Sequence, residues 1–298
     1  MAEHKLAWIR AYGSTRRLNW TEGGKGMNRR KIAKETLEIQ RQGVYEVGGR
    51  KVEIKEMQQR SEKGSRLITP QEGMEYVRSL TMLTGAEQAF LSVKNEPTVK
   101  ATREFAESVT EKIGVLNFAS AKNPGGGFLN GAMAQEESLA SSSGLYMTLL
   151  QNESYYEANR SFGSMMYTDH AIYSPEVVFF RDENFRLIDR PFRASVLTLP
   201  AVNYGEVVLK GEDLHKAEAV MKNRMRLALA IFAGMGDQHL ILGAFGCGVF
   251  KNDPLKVAEW WRELLEDEGI GKMFAEIRFA VLDSPGGKCI QSFQRILG

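Results

Sequence analysis

The stretch LNFASAKNPGGGFLNGAMAQEESLASSSGLY, residues 116–146, sets an apolar run, a glycine triplet and a pair of adjacent acids in close succession. The apolar run ends near Ser120, Gly125, Gly126 and Gly127 follow, and after seven further residues come Gln135, Glu136 and Glu137. A strand that runs into glycines and then into a helix is what an α/β domain presents at the carboxyl edge of its sheet, where ligands sit. Glycine takes positive φ and lets a ligand come close to the backbone. Successive N–H groups then form an anion nest, aided by a following helix N-terminus. Two carboxylates next to such a nest call for a reason. On a helix they point about 100° apart, so one can face a ligand while its neighbour binds elsewhere on it. Alternatively both serve the positive end of the helix dipole as first-turn acids.

Working outward, strands and helices alternate. AFLSVKN reads as a strand, EPTVKATREFAESVTEKIG as a helix, and VLNFAS as the buried strand that opens the loop. HAIYSPEVVFFRDE reads as strand segments around a turn at Ser174-Pro175, and ASVLTLPAVN as a further strand. EDLHKAEAVMKNRMRLALAIFAGMG is a long amphipathic helix. NDPLKVAEWWRELLEDEGI is another, with Asp253 as N-cap and Pro254 in its first position, and AEIRFAVLD closes as a strand. Upstream, residues 31–43 form a helix stopped by Gly43, a hairpin turns at Gly48-Gly49, and a helix capped by Thr69 with Pro70 in its first turn runs to Gly85. The pattern predicts an α/β fold. It divides into a loose tail over 1–26 and one domain over 27–298, of which 27–85 is a helical and hairpin extension and 86–298 the core.

QHLILGAFGCGVF repeats the motif: a strand, then glycines. Two such loops on neighbouring strands would clamp a diphosphate from both sides; the plainer alternative is that the glycines only make tight turns. Neither loop fits GxGxxG with a ribose-binding acid, and GxxxxGK[ST] is absent, which argues against nicotinamide dehydrogenases and P-loop enzymes.

The 298 residues contain no long apolar run, and the N-terminal stretch lacks the apolar core of a secretory leader, so a cytoplasmic protein without a membrane span is expected. Two cysteines, Cys247 and Cys289, and four scattered histidines predict neither a disulfide framework nor a metal site, and no cofactor is implied. Charge is uneven: roughly +8 through Arg66 and roughly −6 beyond it. The basic stretch NRRKIAKETLEIQRQG suits an anionic polymer or a solvated helix face, and direct nucleic-acid binding is not expected. Cys247 reads as a small loop residue, with a low-pKa thiol as the alternative. Trp260 and Trp261 read as packing, His170 lacks a triad partner, Asn203 reads as a turn residue or a cleft contact, and Tyr167 and Tyr173 could flank an adenine or fill the core.

The GGG, seven residues, then QEE within NFASAKNPGGGFLNGAMAQEESLASSSGLY resembles the signature of the microbial-type poly(ADP-ribose) glycohydrolases, and GAFGCGVF is similar to the family's diphosphate loop. Agreement extends from RRKIAKETLEIQRQGVY through YSPEVVFFRD and LPAVN to FAVLD; one departure is Ala140, where a basic residue is expected. The resemblance implies a macrodomain-like mixed β-sheet between helices. It also implies hydrolysis of the ribose–ribose O-glycosidic bond of poly(ADP-ribose) from the chain terminus, with ADP-ribose as product and the polymer or an ADP-ribosylated protein as partner. By the same resemblance Glu137 is the catalytic acid, Glu136 binds ribose hydroxyls, and Gln135 completes the triplet. Gly125, Gly126 and Gly127 form the ribose-side loop. Gly246, Cys247, Gly248 and Val249 form the diphosphate loop, Phe250 packs on the distal ribose, and Asn117 and Asn123 line the ribose.

Most glycosidases use two opposed carboxylates. Neighbours on one backbone do not obviously flank a bond, so a single working acid is expected: Glu137 protonates the departing ribose oxygen, then activates water. Three rivals share the cradle. A reader of ADP-ribose would need no paired acids. A hydrolase of mono-ADP-ribose differs only in linkage. A nucleotide hydrolase would want magnesium-binding carboxylates.

Overall fold

The structure, a computed structural model, describes residues 28–80 and 87–298. The tail expected over 1–26 and the helix stop expected at Gly85 lie outside the described residues.

The extension is built as its caps dictate. Asn28 accepts the N–H of Lys31 to open α1 (Arg29–Gln42), and Gly43 at φ 70° closes it. The hairpin β1 (Val44–Val47) and β2 (Arg50–Glu53) pairs Val47 with Arg50 across Gly48-Gly49. Then come two elements that the sequence pattern did not reveal, α2 (Lys55–Gly64) and β3 (Arg66–Ile68). The side chains that α2 buries are polar, Gln58 and Ser61, so it carries no apolar stripe. A capping box between Thr69 and Glu72, with Pro70 in the first turn, starts α3 (Pro70–Arg78), which ends short of the predicted length.

Seven strands form one mixed sheet in the order β3-β6-β7-β5-β8-β9-β4. These are β4 (Phe90–Lys94), β5 (Ile113–Phe118), β6 (Ala171–Arg181), β7 (Leu187–Leu199), β8 (His239–Leu242) and β9 (Glu276–Ala280), with β3 from the extension hydrogen-bonded to β6. Extension and core therefore share one sheet. Strands β7, β5, β8, β9 and β4 run parallel to one another, while β6 runs antiparallel to both β7 and β3.

The elements differ from expectation in several places, and β7 begins at Leu187 rather than Ala194. The helix α4 (Thr98–Ser108) ends before Ile113 and Gly114, which open β5. Strand β6 is continuous: Ser174-Pro175 is not a turn but a bulge, with a register shift to Val177 and Glu176 at φ 48°. A final helix, α11 (Lys288–Leu297), buries Ile290, Phe293 and Leu297, an amphipathic signal passed over in the sequence.

The sheet is covered on both faces, as parallel sheets require. On one face Leu116, Leu197, Leu240 and Phe279 meet α9 (Leu214–Met235), α10 (Pro254–Arg262) and α11. On the other, Val115, Val196 and Ile241 meet α4, α5 (Gln135–Ser142), α6 (Leu145–Leu150) and α7 (Glu153–Ser161). Remaining links include α8 (Tyr204–Lys210), capped by Asn203, whose side chain accepts the N–H of Glu206. Trp261 is buried in the core and donates its indole N–H to Gly243 O. Among the described residues no helix is long and apolar enough to cross a membrane.

Candidate active site

Strands β5 and β8 are adjacent and parallel, pairing Gly114 with Leu240 and Val115 with Ile241. The loops that follow them, the first containing Gly125–Gly127 and the second Gly246–Phe250, therefore open at the same edge of the sheet. This is the juxtaposition a two-sided diphosphate clamp needs.

The first loop is closed by its own backbone. Gly126 N–H donates to Asn123 O, and Gly125 and Gly126 stand at φ 65° and 58°. Asn123 is exposed and Asn117 is fully buried, so only the latter reaches into the interior. Asn117 Nδ2 donates to Thr198 Oγ1 at 3.1 Å and to Glu136 Oε1 at 3.3 Å.

All three members of the QEE triplet lie in the first turn of α5, each with a different task. Gln135 binds the backbone of β5 with both ends of its amide, taking Phe118 N–H at 2.9 Å and giving to Leu116 O at 2.8 Å. It pins the start of α5 to the strand, which leaves this amide committed to the protein rather than to a ligand. Glu136 is buried and accepts Ser120 N–H at 2.7 Å on its second oxygen. Glu137 accepts Gly127 N–H at 2.8 Å on Oε1, while Oε2 is buried and has no partner. The two carboxyl groups meet over Gly126: a Cβ there would lie 2.5 Å from Glu137 Oε1 and 2.9 Å from Glu136 Oε2.

Burial pushes the Glu136 carboxyl up to about 8, with the neighbouring Glu137 adding to the rise and the hydrogen bonds from Ser120 and Asn117 opposing it. Between the ordinary value of 4.5 and about 8, the folded protein holds a proton that the unfolded chain has lost. Stability from this group is thus complete at low pH and falls as pH rises through that window, by up to about 1.4 kcal/mol per pH unit. Glu136→Gln removes the titration. Its melting temperature is expected to fall less than the parent's between pH 5 and pH 8 in parallel thermal scans; identical slopes would place the titration elsewhere.

The second loop is fastened from outside. Asn252 Nδ2 donates to Val202 O at 2.8 Å and to Gly246 O at 3.1 Å, tying the loop to the end of β7. Gly248 and Val249 are exposed at its tip. Phe250 lies 6.0 Å from Tyr167, ring to ring. Tyr167 stands at φ 57°, and Arg224, buried in α9, accounts for that conformation: it donates to the carbonyls of Met166, Tyr167 and Pro200 and pairs with Asp169 at 2.9 Å. Asn252, Arg224 and Ser120 were missed in the sequence because each acts through partners distant along the chain.

Other residues resolve in the same way. Tyr173 donates its hydroxyl to Asp237, just before β8 at the opposite edge of the sheet, and so belongs to the core rather than beside an adenine. Burial pushes the Cys247 thiol well above its usual range, with Cys289 beside it, which removes the reactive-thiol alternative. His170 contacts Thr168 Oγ1 at 2.9 Å. Ala140 is buried against Ala33 of α1 and Phe128, so the departure from a basic residue there is a matter of close helix packing. Among the described residues no group of three or more His, Cys, Asp or Glu side chains is placed to hold a metal ion.

Residues 33–182 match the family described as microbial-type PARG, catalytic domain. Among solved structures, the poly(ADP-ribose) glycohydrolase of Thermomonospora curvata is 39% identical with a TM-score of 0.87, over 90% of this chain and 99% of that one. Its structure bound to the inhibitor ADP-HPD matches at 38% identity and a TM-score of 0.84, over 90% and 98% of the two chains. The poly(ADP-ribose) glycohydrolase of Deinococcus radiodurans in complex with ADP-ribose matches at 40% identity and a TM-score of 0.74, over 84% and 97%. No curated protein matches. With a family match over half its length and such identity across nearly all the rest, the chain belongs to the microbial-type poly(ADP-ribose) glycohydrolases.

Proposed function

We propose that this chain hydrolyses the ribose–ribose O-glycosidic bond of poly(ADP-ribose) and releases ADP-ribose, with Glu137 as the acid and then the base. The observation that carries this assignment is the carboxyl of Glu137: Oε1 is fixed by Gly127 N–H against the first glycine loop, and Oε2 is buried and unpartnered. Glu136 has both oxygens engaged by Asn117 and Ser120, so it suits orientation of the ribose better than attack.

A diphosphate held between the loops of Gly125–Gly127 and Gly246–Phe250 brings its attached ribose to the carboxyl pair. The bond breaks through an oxocarbenium-like state. Glu137 Oε2 gives a proton to the departing ribose oxygen, and the resulting carboxylate takes one from the attacking water. Glu136, which burial keeps protonated past neutrality, places a proton within the pair. The diphosphate lies near the anomeric carbon and stabilises the positive charge that develops there. Phe250 and Tyr167 form an aromatic wall on the second loop's side. A cytoplasmic setting agrees with two free cysteines.

Incubation of the purified protein with poly(ADP-ribose) is expected to release ADP-ribose. Tight binding of ADP-ribose without release would make the protein a reader instead. Release only from mono-ADP-ribosylated protein would move the activity to the protein–ribose linkage.

A further inference from the structure

We propose that the N-terminal extension is a positioning element of the active site: Thr36 and Gln40 of α1 and Gln58 of α2 hold the carboxyl end of α5 and thereby fix where Glu137 stands. The proposal rests on the assignment of Glu137 above and adds to it the residues that aim this side chain.

Helix α5 spans only eight residues, with the acids in its first turn. Its far end is therefore close to the chemistry, and any tilt or rotation there carries to Glu137. A helix leaves its last four carbonyls without intrahelical partners. Here no left-handed glycine closes the end; Ser143 follows in extended conformation. The extension supplies one of the missing donors, at Ser141, and holds the carbonyls of the two residues that follow the helix. Thr36 Oγ1 gives to Ser141 O at 2.8 Å, Gln40 Nε2 to Ser143 O at 2.8 Å, and Gln58 Nε2 to Gly144 O at 3.1 Å. All three side chains are buried, although polar residues of these types are mostly exposed. Gly144 leaves the room: a Cβ there would fall 1.8 Å from Gln58 Oε1. Thr36 is itself held, accepting Arg181 Nε at 3.2 Å.

None of these contacts touches the glycine loops. The extension meets the first loop elsewhere, where Arg30 Nε donates to Asn130 O and Ala33 packs on Phe128, so the loss of one of these three donors leaves the diphosphate cradle in place. Loss of a donor should therefore lower turnover and spare ligand affinity, which a purely structural role would not do selectively.

The test uses the full chain and Thr36→Val, which keeps the shape and removes the hydroxyl, beside Thr36→Ser, which restores it. Thr36→Val should lower kcat on poly(ADP-ribose) on the order of 10- to 100-fold, as small misplacements of catalytic groups do. ADP-ribose affinity by calorimetry should stay within about twofold, because the cradle donors are untouched. Thr36→Ser should recover most of the rate. Hydrogen exchange should quicken in the amides of residues 136–142 and not in residues 243–250, a readout independent of turnover. Unchanged kcat and exchange in Thr36→Val would overturn the proposal, as would a parallel loss of rate and affinity. A parent that fails to cleave the polymer would refute the functional assignment instead, and the exchange pattern would still decide the positioning role.

Discussion

Glu137→Gln is expected to abolish most turnover of poly(ADP-ribose), lowering kcat on the order of 10²- to 10⁴-fold, the range typical of a lost general acid–base group. The substitution keeps the side chain's size and its acceptor oxygen toward Gly127 N–H, now 2.8 Å away. What it removes is the ionisable oxygen, Oε2, which has no protein partner to lose. Folding should therefore be unaffected. ADP-ribose should bind to the variant nearly as well as to the parent, since in the proposed pose two loops that leave different strands hold the diphosphate. The expected signature is a large fall in kcat with little change in calorimetric affinity. A variant retaining more than about a tenth of parental kcat would show that the proton comes from elsewhere, since general acid catalysis is worth far more than tenfold.

Gly126→Ala should damage catalysis almost as severely, by a different route. Gly126 stands at φ 58°, and a Cβ there would press on Glu137 Oε1 and Glu136 Oε2 at 2.5 and 2.9 Å. Carboxyl ends move more easily than backbone, so the fold survives and the acids are displaced. A fall in kcat/KM on the order of 10²-fold is expected, the scale that a displacement of about 1 Å produces. Gly48→Ala is the matched control: φ is 57° there too, but nothing lies within 4 Å of the added carbon. Both variants carry the left-handed backbone penalty, roughly 1–2 kcal/mol. Only the substitution at Gly126 should cost activity. Equal activity in the two would show that the carboxyl pair tolerates displacement and does not need this glycine.

What the sequence made legible follows from which signals are local. Caps at Thr69, Asp253 and Gly43 are encoded within four residues, and all three stand where they were expected. The two glycine loops were visible because strand and loop adjoin in the chain. That β5 and β8 are neighbours was a condition of the clamp, and only the sheet order supplies it. Elements held by distant polar contacts were not visible. Helix α2 buries Gln58 and Ser61 instead of an apolar stripe, and its reason for existing lies 86 residues away at Gly144 O. Strand β3 is three residues long and gains its identity from pairing with β6. Ser174-Pro175 carries turn chemistry, yet the sheet absorbs it as a bulge in a buried strand, a case of tertiary structure overriding local propensity. Within the site, the residue types were legible and their division of labour was not. Nothing in QEE says that Gln135 binds the strand, that Glu136 is enclosed by donors, or that one oxygen of Glu137 is left unpartnered.

The most direct test of this account is a crystal structure of the protein with ADP-ribose. The diphosphate is expected between the loops of Gly125–Gly127 and Gly246–Phe250, with an oxygen of the ribose beyond it within about 3.2 Å of Glu137 Oε2, the reach of a proton transfer. A diphosphate bound elsewhere, or a Glu137 carboxyl facing bulk solvent well away from the sugar, would contradict it.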